Sequence, residues 1–138
     1  MVRQSELELN TEGNGQMTDI TAEVSRAAEE SGIKDGIVTV FVPGATGAVT
    51  TIEYESGLVK DFAELMERLA PQGKDYAHNA RWGDGNGHSH LRASLLGPSL
   101  TVPLTDGALA LGTWQQIVFV DFDTRARMRN LIVQIVGE

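Results

Sequence analysis

Residues 36–54, GIVTVFVPGATGAVTTIEY, contain the pattern that decides the fold. The first part, Gly36–Val42, is a dense run of β-branched residues, which is typical of a strand in the middle of a sheet. Residues 43–47 contain proline and two glycines and form a turn-like break. Residues 48–54 then resume as a second strand rich in threonine and valine. The stretch therefore predicts two interior strands of the protein's sheet.

Helices are predicted on both sides of this pair of strands. Residues 18–31 carry apolar side chains at helical spacing, with Thr18 or Asp19 as the N-cap and Gly32 as the C-terminal stop. A second helix is predicted for residues 58–69. Further strands are predicted for residues 4–11, 91–96, 100–104, 108–111, 115–122 and 128–136. This order of elements predicts an α+β fold, an antiparallel β-sandwich with two helices.

Length, composition and charge restrict the class of protein. The length suits a single domain spanning residues 1–138, and the absence of cysteine excludes disulfides, thiolate metal ligands and cysteine nucleophiles. The formal net charge of -8 argues against nucleic acid and membrane surfaces as partners. Arg125, Arg127 and Arg129 are the one local concentration of positive charge, and we expect them to form a solvated edge. No segment is typical of a signal peptide or a membrane span, so a cytoplasmic location is expected.

All three histidines lie in one glycine-rich part of the chain, within YAH (76–78) and DGNGHSH (84–90). In an extended segment, His88 and His90 would point to the same side because they are two residues apart. With His78 reached from the preceding loop, the spacing predicts a divalent-metal site, with zinc preferred, whose fourth position is left to water. A histidine site without metal and an exposed polar loop are the alternatives.

Two carboxylates are candidates for the catalytic base of such a site. Glu53 follows the second interior strand, and Asp84 lies inside the histidine-rich segment. Either carboxylate can activate a metal-bound water or orient an imidazole. The competing interpretations are a surface residue at a strand end for Glu53 and turn formation for Asp84.

Four further residues are candidates for binding an anionic group of a substrate. Arg92 follows His90 by two residues and is expected on the same side, where its guanidinium can bind a phosphate. A salt bridge to a carboxylate is the alternative for Arg92. Thr46 and Thr51 can donate hydroxyl groups to the same anion, and Asn86 lies between the histidines. Because no phosphate-loop or dinucleotide-binding glycine pattern is present, a nucleotide is not the expected ligand.

Several motifs of the second half of the chain occur together: His78, NGHSHL (86–91), SLTVP (99–103), GALALGTWQ (107–115) and DFD (121–123). In these motifs the chain resembles the YjbQ-like proteins. The resemblance implies an α+β sandwich that assembles as a homotrimer, with sites for divalent metal and anions near the subunit boundaries. The one activity it implies is a secondary thiamine-phosphate synthase activity, which joins a pyrimidine diphosphate to a thiazole phosphate.

One departure from the family pattern concerns the metal ligands. Many members carry a histidine where this chain has Gly44, and a small residue where this chain has His88. This exchange suggests that His88 replaces the missing ligand and keeps a three-histidine site. The function predicted is a metal-dependent enzyme acting on a small phosphorylated substrate, with Glu53 or Asp84 as the base and Arg92 on the phosphate. A non-catalytic trimer that binds a metal or a small ligand is the alternative.

Overall fold

Two antiparallel sheets and four helices make up the computed structural model, which describes residues 1–138. In chain order the elements are β1 (Val2–Thr11), β2 (Gln16–Asp19), α1 (Thr21–Ser31), β3 (Gly36–Phe41), β4 (Gly47–Ile52), α2 (Ser56–Leu69), α3 (Ala77–Trp82), α4 (Gly87–Leu96), β5 (Ser99–Thr105), β6 (Ala108–Leu109), β7 (Gln116–Asp121) and β8 (Arg127–Gly137). The strand orders are β1-β8-β3-β5-β6 and β2-β7-β4. The predicted α+β class is confirmed, with four helices instead of two. No helix has both the length and the apolar character needed to cross a membrane.

β7 is buried on both faces, because it lies between the five-stranded sheet and the helices α2 and α4. Ile117 and Phe119 belong to the apolar cluster shared with the five-stranded sheet and α1. Val118 and Val120 belong to a second cluster, shared with α2 and α4. A strand covered on both sides needs apolar residues at successive positions, which explains this unbroken run. The three-stranded sheet is therefore the central layer.

The start of α1 differs from the prediction, whereas its end agrees. Residues 16–19 form β2, so α1 begins at Thr21, three residues later than predicted. Asp19 still helps to begin the helix, since its Oδ1 accepts a hydrogen bond of 3.0 Å from the backbone N–H of Thr21. Gly32 ends α1 in the left-handed conformation, with φ of 73°, as the sequence predicts.

The strand predicted for residues 91–96 is wrong, because these residues belong to α4. The segment LRASLL contains good helix formers and no β-branched residue, so its local preference is helical. Ala93 and Leu96 pack against the second apolar cluster and cover the three-stranded sheet. The extended segment expected around His88 is also absent, since α4 begins at Gly87.

Candidate functional site: a histidine pair beside a cleft

His78 of α3 and His90 of α4 bring two imidazoles together. The centroids of the two rings are 4.6 Å apart, and the ring planes are inclined by 55°. The two helices approach closely at Gly87, where a β-carbon would lie 2.8 Å from Cβ of Tyr76. The N–H of Gly87 also donates to Oδ1 of Asn79, at 2.9 Å. This tight contact fixes the start of α4 against α3 and so fixes the spacing of the histidine pair.

Asn86 orients the ring of His78. Nε2 of His78 lies 3.0 Å from the amide oxygen of Asn86. Oδ1 of Asp84 lies 3.3 Å from the same nitrogen. Because a carboxylate oxygen only accepts hydrogen bonds, we assign a proton to Nε2 of His78. Nδ1 of His78 has no hydrogen-bond partner in the chain.

His90, one member of the pair, borders a cleft of about 330 Å³ between the β3–β4 loop and α4. Its lining residues are Gly44, Ala45, Gly47, His90, Ala93, Ser94 and Pro98. Neither ring nitrogen of His90 has a hydrogen-bond partner in the chain, and Nδ1 of His78 has none either. The pair therefore presents ring nitrogens that are free to bind a ligand.

His88 does not join this pair. In a helix, residues two apart point to nearly opposite sides, so His88 and His90 diverge. His88 is only 3% exposed, and its Nδ1 is buried without a hydrogen-bond partner. Burial, reinforced by the charge of Arg92, lowers the pKa of His88, so its imidazole is neutral in the fold. The expectation that His88 and His90 point to one side is wrong, and no group of three His, Asp or Glu side chains is arranged to hold a metal ion.

Arg92 is tied to α2 instead of facing the cleft. Its Nη2 lies 2.7 Å from Oε2 of Glu67, and its Nε donates to the carbonyl oxygen of Ala70 at 2.9 Å. In the helix, Arg92 follows His88 by four residues and shares that residue's face. The expected position beside His90 is therefore wrong, and the salt bridge left open by the sequence is present.

Glu53 and Thr51 lie at the far end of β4 from the cleft. Gly47, the first residue of β4, lines the cleft, whereas Glu53 follows the last residue of the strand. At about 3.3 Å per residue, this separation is roughly 20 Å. The hydroxyl of Thr51 accepts a hydrogen bond of 3.2 Å from Gln115. Within one chain, neither side chain reaches a group bound at His90.

Thr46 belongs to a network of buried polar side chains behind the β3–β4 loop. Arg129 donates to both carboxylate oxygens of Asp121, at 2.9 Å each. Its Nη2 also donates to Oγ1 of Thr46 at 2.8 Å, and Thr46 donates to Asp123 at 3.1 Å. Arg129 is 3% exposed, so the expectation of a solvated edge is wrong for this residue. It occupies an inward position of β8, in alternation with outward residues.

The network keeps both aspartates ionised. Burial raises the pKa of Asp121, but hydrogen bonds from Arg129, Thr11 and a backbone N–H outweigh burial and hold this pKa below its usual value. The pKa of Asp123 is lowered in the same way, since burial is outweighed by hydrogen bonds from the backbone N–H of Thr124 and from the side chains of Thr46 and Arg127. The sequence signal for this network is a charge at an inward strand position, which the sequence prediction missed.

The fold and the site together define a class of protein. It is an α+β protein of curled antiparallel sheets, in which two short helices present a histidine pair beside a loop. The chain belongs to the YjbQ/UPF0047 family, since the family model described as "UPF0047 protein YjbQ-like" matches residues 5–138.

Relatives from archaea and bacteria agree with this assignment. A UPF0047 protein of Archaeoglobus fulgidus is 45% identical over 129 residues, which are 94% of this chain and 98% of the relative. UPF0047 protein YugU of Bacillus subtilis is 32% identical over 133 residues, which are 95% and 97% of the two chains. The crystal structure of a YbjQ-like protein of unknown function from Sulfolobus solfataricus has a TM-score of 0.95 at 34% identity, covering 100% of this chain and 99% of that chain. The predicted family and fold are confirmed, and none of these names states an activity.

Proposed function

We propose that this protein is a metal-binding enzyme that acts on a small phosphorylated substrate, with His78 and His90 at its centre. The observation that carries this proposal is the pair of imidazoles, 4.6 Å apart between ring centroids, with three ring nitrogens that have no partner in the chain. One ring is oriented through its other nitrogen by Asn86, as histidine ligands of metals commonly are. Zinc is the preferred ion for imidazole ligands of this kind.

The residues present fit such an ion in part. His78 and His90 would supply two imidazole ligands, and no third His, Asp or Glu side chain completes the set. The remaining positions would fall to water, to the substrate or to a neighbouring copy of the chain. When bound, the ion would polarise a phosphoryl oxygen. This chain's own residues would hold His78 through Asn86 and Asp84 and would enclose the substrate in the cleft.

The finer proposal is the secondary thiamine-phosphate synthase activity that the family resemblance implies. In that reaction a pyrimidine diphosphate is joined to a thiazole phosphate, and pyrophosphate leaves. The main demand on the site is stabilisation of negative charge on the leaving group. Of the two predicted bases, Asp84 lies beside His78, whereas Glu53 would have to come from a neighbouring copy. The non-catalytic alternative uses the same histidine pair and cleft to bind a metal or a small ligand.

Metal content is the first test of the proposed function. Untagged protein purified without added metal is expected to contain about one equivalent of zinc or another transition metal per chain, measured by mass spectrometry of the elements. Removal of the metal by a chelator is expected to abolish turnover of phosphorylated substrates, because the ion supplies the charge stabilisation. Circular dichroism before and after chelation serves as the control for folding. Protein that contains no metal and takes up none on titration would contradict the proposal, and metal without turnover would favour the non-catalytic alternative.

We further propose that the outer face of the five-stranded sheet is buried between copies of the chain, in the trimer that the resemblance implies. Ile37, Phe41 and Val136 on this face are 45%, 40% and 41% exposed. Ile37 pairs with Val136, and Phe41 pairs with Ile132 on the neighbouring strand. The four side chains therefore form two apolar pairs on this face, near the two ends of β3, with Thr39 and Gln134 between them. Apolar groups exposed together on one face are typical of protein interfaces.

Phe41→Glu is expected to convert the assembly into monomers, because it places a carboxylate within an apolar interface. The measurement is the molar mass from light scattering coupled to size-exclusion chromatography. Leu65→Glu, at a position of α2 that is also 40% exposed but lies away from the five-stranded sheet, is the matched control and should keep the wild-type mass. A monomeric wild-type protein, or an unchanged mass for Phe41→Glu, would contradict the proposed interface.

A further inference from the structure

The loop between β3 and β4 contains three consecutive backbone N–H groups without an acceptor. The amides of Gly44, Ala45 and Thr46 donate to no carbonyl oxygen in the chain, and no side chain accepts from them. Thr46 is only 5% exposed, and a backbone donor in such a position is normally paired. The loop therefore carries donors that an incoming acceptor would satisfy.

Arg129 adds a charged donor behind the same loop. Its Nε and Nη2 are engaged by Asp121 and Thr46, whereas Nη1 donates to no group in the chain. Nη1 is not completely buried, so solvent reaches it. A β-carbon at Gly44 would lie 3.0 Å from Nη1, which places this nitrogen directly beside the loop. Gly44 in turn lines the cleft that His90 borders.

We propose that Nη1 of Arg129 and the amides of residues 44–46 bind a phosphoryl group at the Gly44 end of the cleft. The ligand class is a phosphomonoester or a diphosphate, whose oxygens accept several hydrogen bonds and are well matched to a guanidinium and to backbone amides. The glycine at position 44 is essential here, because it leaves the edge of the guanidinium uncovered. This inference rests on the proposed function, since it names the groups that hold the phosphate of the proposed substrate.

We call residues 44–46 together with Nη1 of Arg129 the cradle. The buried network keeps the cradle rigid before a ligand binds. Asp121 holds the guanidinium through two hydrogen bonds, and Thr46 ties the loop to the same side chain. Asp121 and Asp123 each face an arginine, Arg129 and Arg127 respectively, so the network has balanced charge. An anion in the cradle would therefore meet oriented donors that need little rearrangement.

Binding of inorganic phosphate to chelator-treated protein tests the cradle separately from the metal. Gly44→Ala places a methyl group beside Nη1 and is expected to weaken phosphate binding by about tenfold or more. Gly112→Ala is the matched control, since its β-carbon would meet nothing closer than 3.6 Å. Titration calorimetry measures the affinities, and thermal melting checks that both variants fold. In the wild-type protein, phosphate should also shift the amide NMR signals of residues 44–46 and leave that of Gly112 unchanged.

Each outcome decides between the cradle and the proposed function. Phosphate binding without metal, weakened in Gly44→Ala alone, supports the cradle. Binding that requires added zinc and is equal in wild type and Gly44→Ala overturns the cradle and leaves the proposed function intact. Absence of binding with and without zinc overturns both. If Gly44→Ala does not fold, the NMR shifts of the wild-type protein decide, and unshifted amides at residues 44–46 overturn the cradle.

Discussion

Asp121→Asn is expected to lower the free energy of unfolding by about 3–5 kcal/mol. Asp121 is completely buried, Arg129 is 3% exposed, and the two side chains share two hydrogen bonds of 2.9 Å. Asparagine has nearly the same size but no charge, so the guanidinium would remain in the core without a counter-charge. The loss would be measured from urea unfolding followed by circular dichroism, at one fixed protein concentration because assembly contributes to stability.

Two further variants show whether this loss comes from the unpaired buried charge. Arg127→Gln breaks an ion pair of 3.1 Å with Asp123, but the side chain of Arg127 is 39% exposed, so a change of about 1 kcal/mol or less is expected. The double variant Asp121→Leu with Arg129→Leu removes both buried charges and should be more stable than Asp121→Asn. A loss in Asp121→Asn as small as that in Arg127→Gln would contradict the interpretation.

The sheets could be predicted because the periodicity of a strand depends only on consecutive residues of the sequence. β8 alternates inward residues such as Leu131 and Val133 with outward ones, and β7 is apolar at successive positions because both of its faces are covered. These patterns need no knowledge of which strand lies beside which. They gave most of the strands correctly, although strand boundaries shifted by a few residues, β2 was missed and residues 91–96 belong to α4 instead of a strand.

The site could not be predicted to the same degree, because it depends on contacts between distant residues. The same residues 87–90 place His88 and His90 on one side if extended and on nearly opposite sides if helical. Packing of α4 on the three-stranded sheet selects the helix, and the sequence alone does not show that contact. The buried position of Arg129 is likewise decided by Asp121, which lies on a different sheet. His78 could be assigned to the candidate site from the sequence, because residues 76–90 contain every histidine of the chain.

His90→Ala is expected to lower the affinity for zinc by more than about 100-fold, while His88→Gln leaves it unchanged. Loss of a residue that merely orients a ligand typically costs 10- to 100-fold, so loss of one of two imidazole ligands should cost more. His88 lies on the other side of α4, is 3% exposed and has a neutral, buried ring. Zinc affinity would be measured by competition with a chromophoric chelator, and thermal melting would confirm that each variant folds.

The two histidine variants also test the conformation of residues 87–90. His88 and His90 lie two residues apart on one helix, so each serves as the matched control for the other. Equal losses of zinc affinity in folded His88→Gln and His90→Ala would contradict the histidine pair. Such a result would require the first turn of α4 to become extended when the metal binds, because only then do both imidazoles point to one side. Loss in His90→Ala alone means that the helix persists, and the exchange of a histidine at position 44 for one at position 88 then has no role in binding the metal.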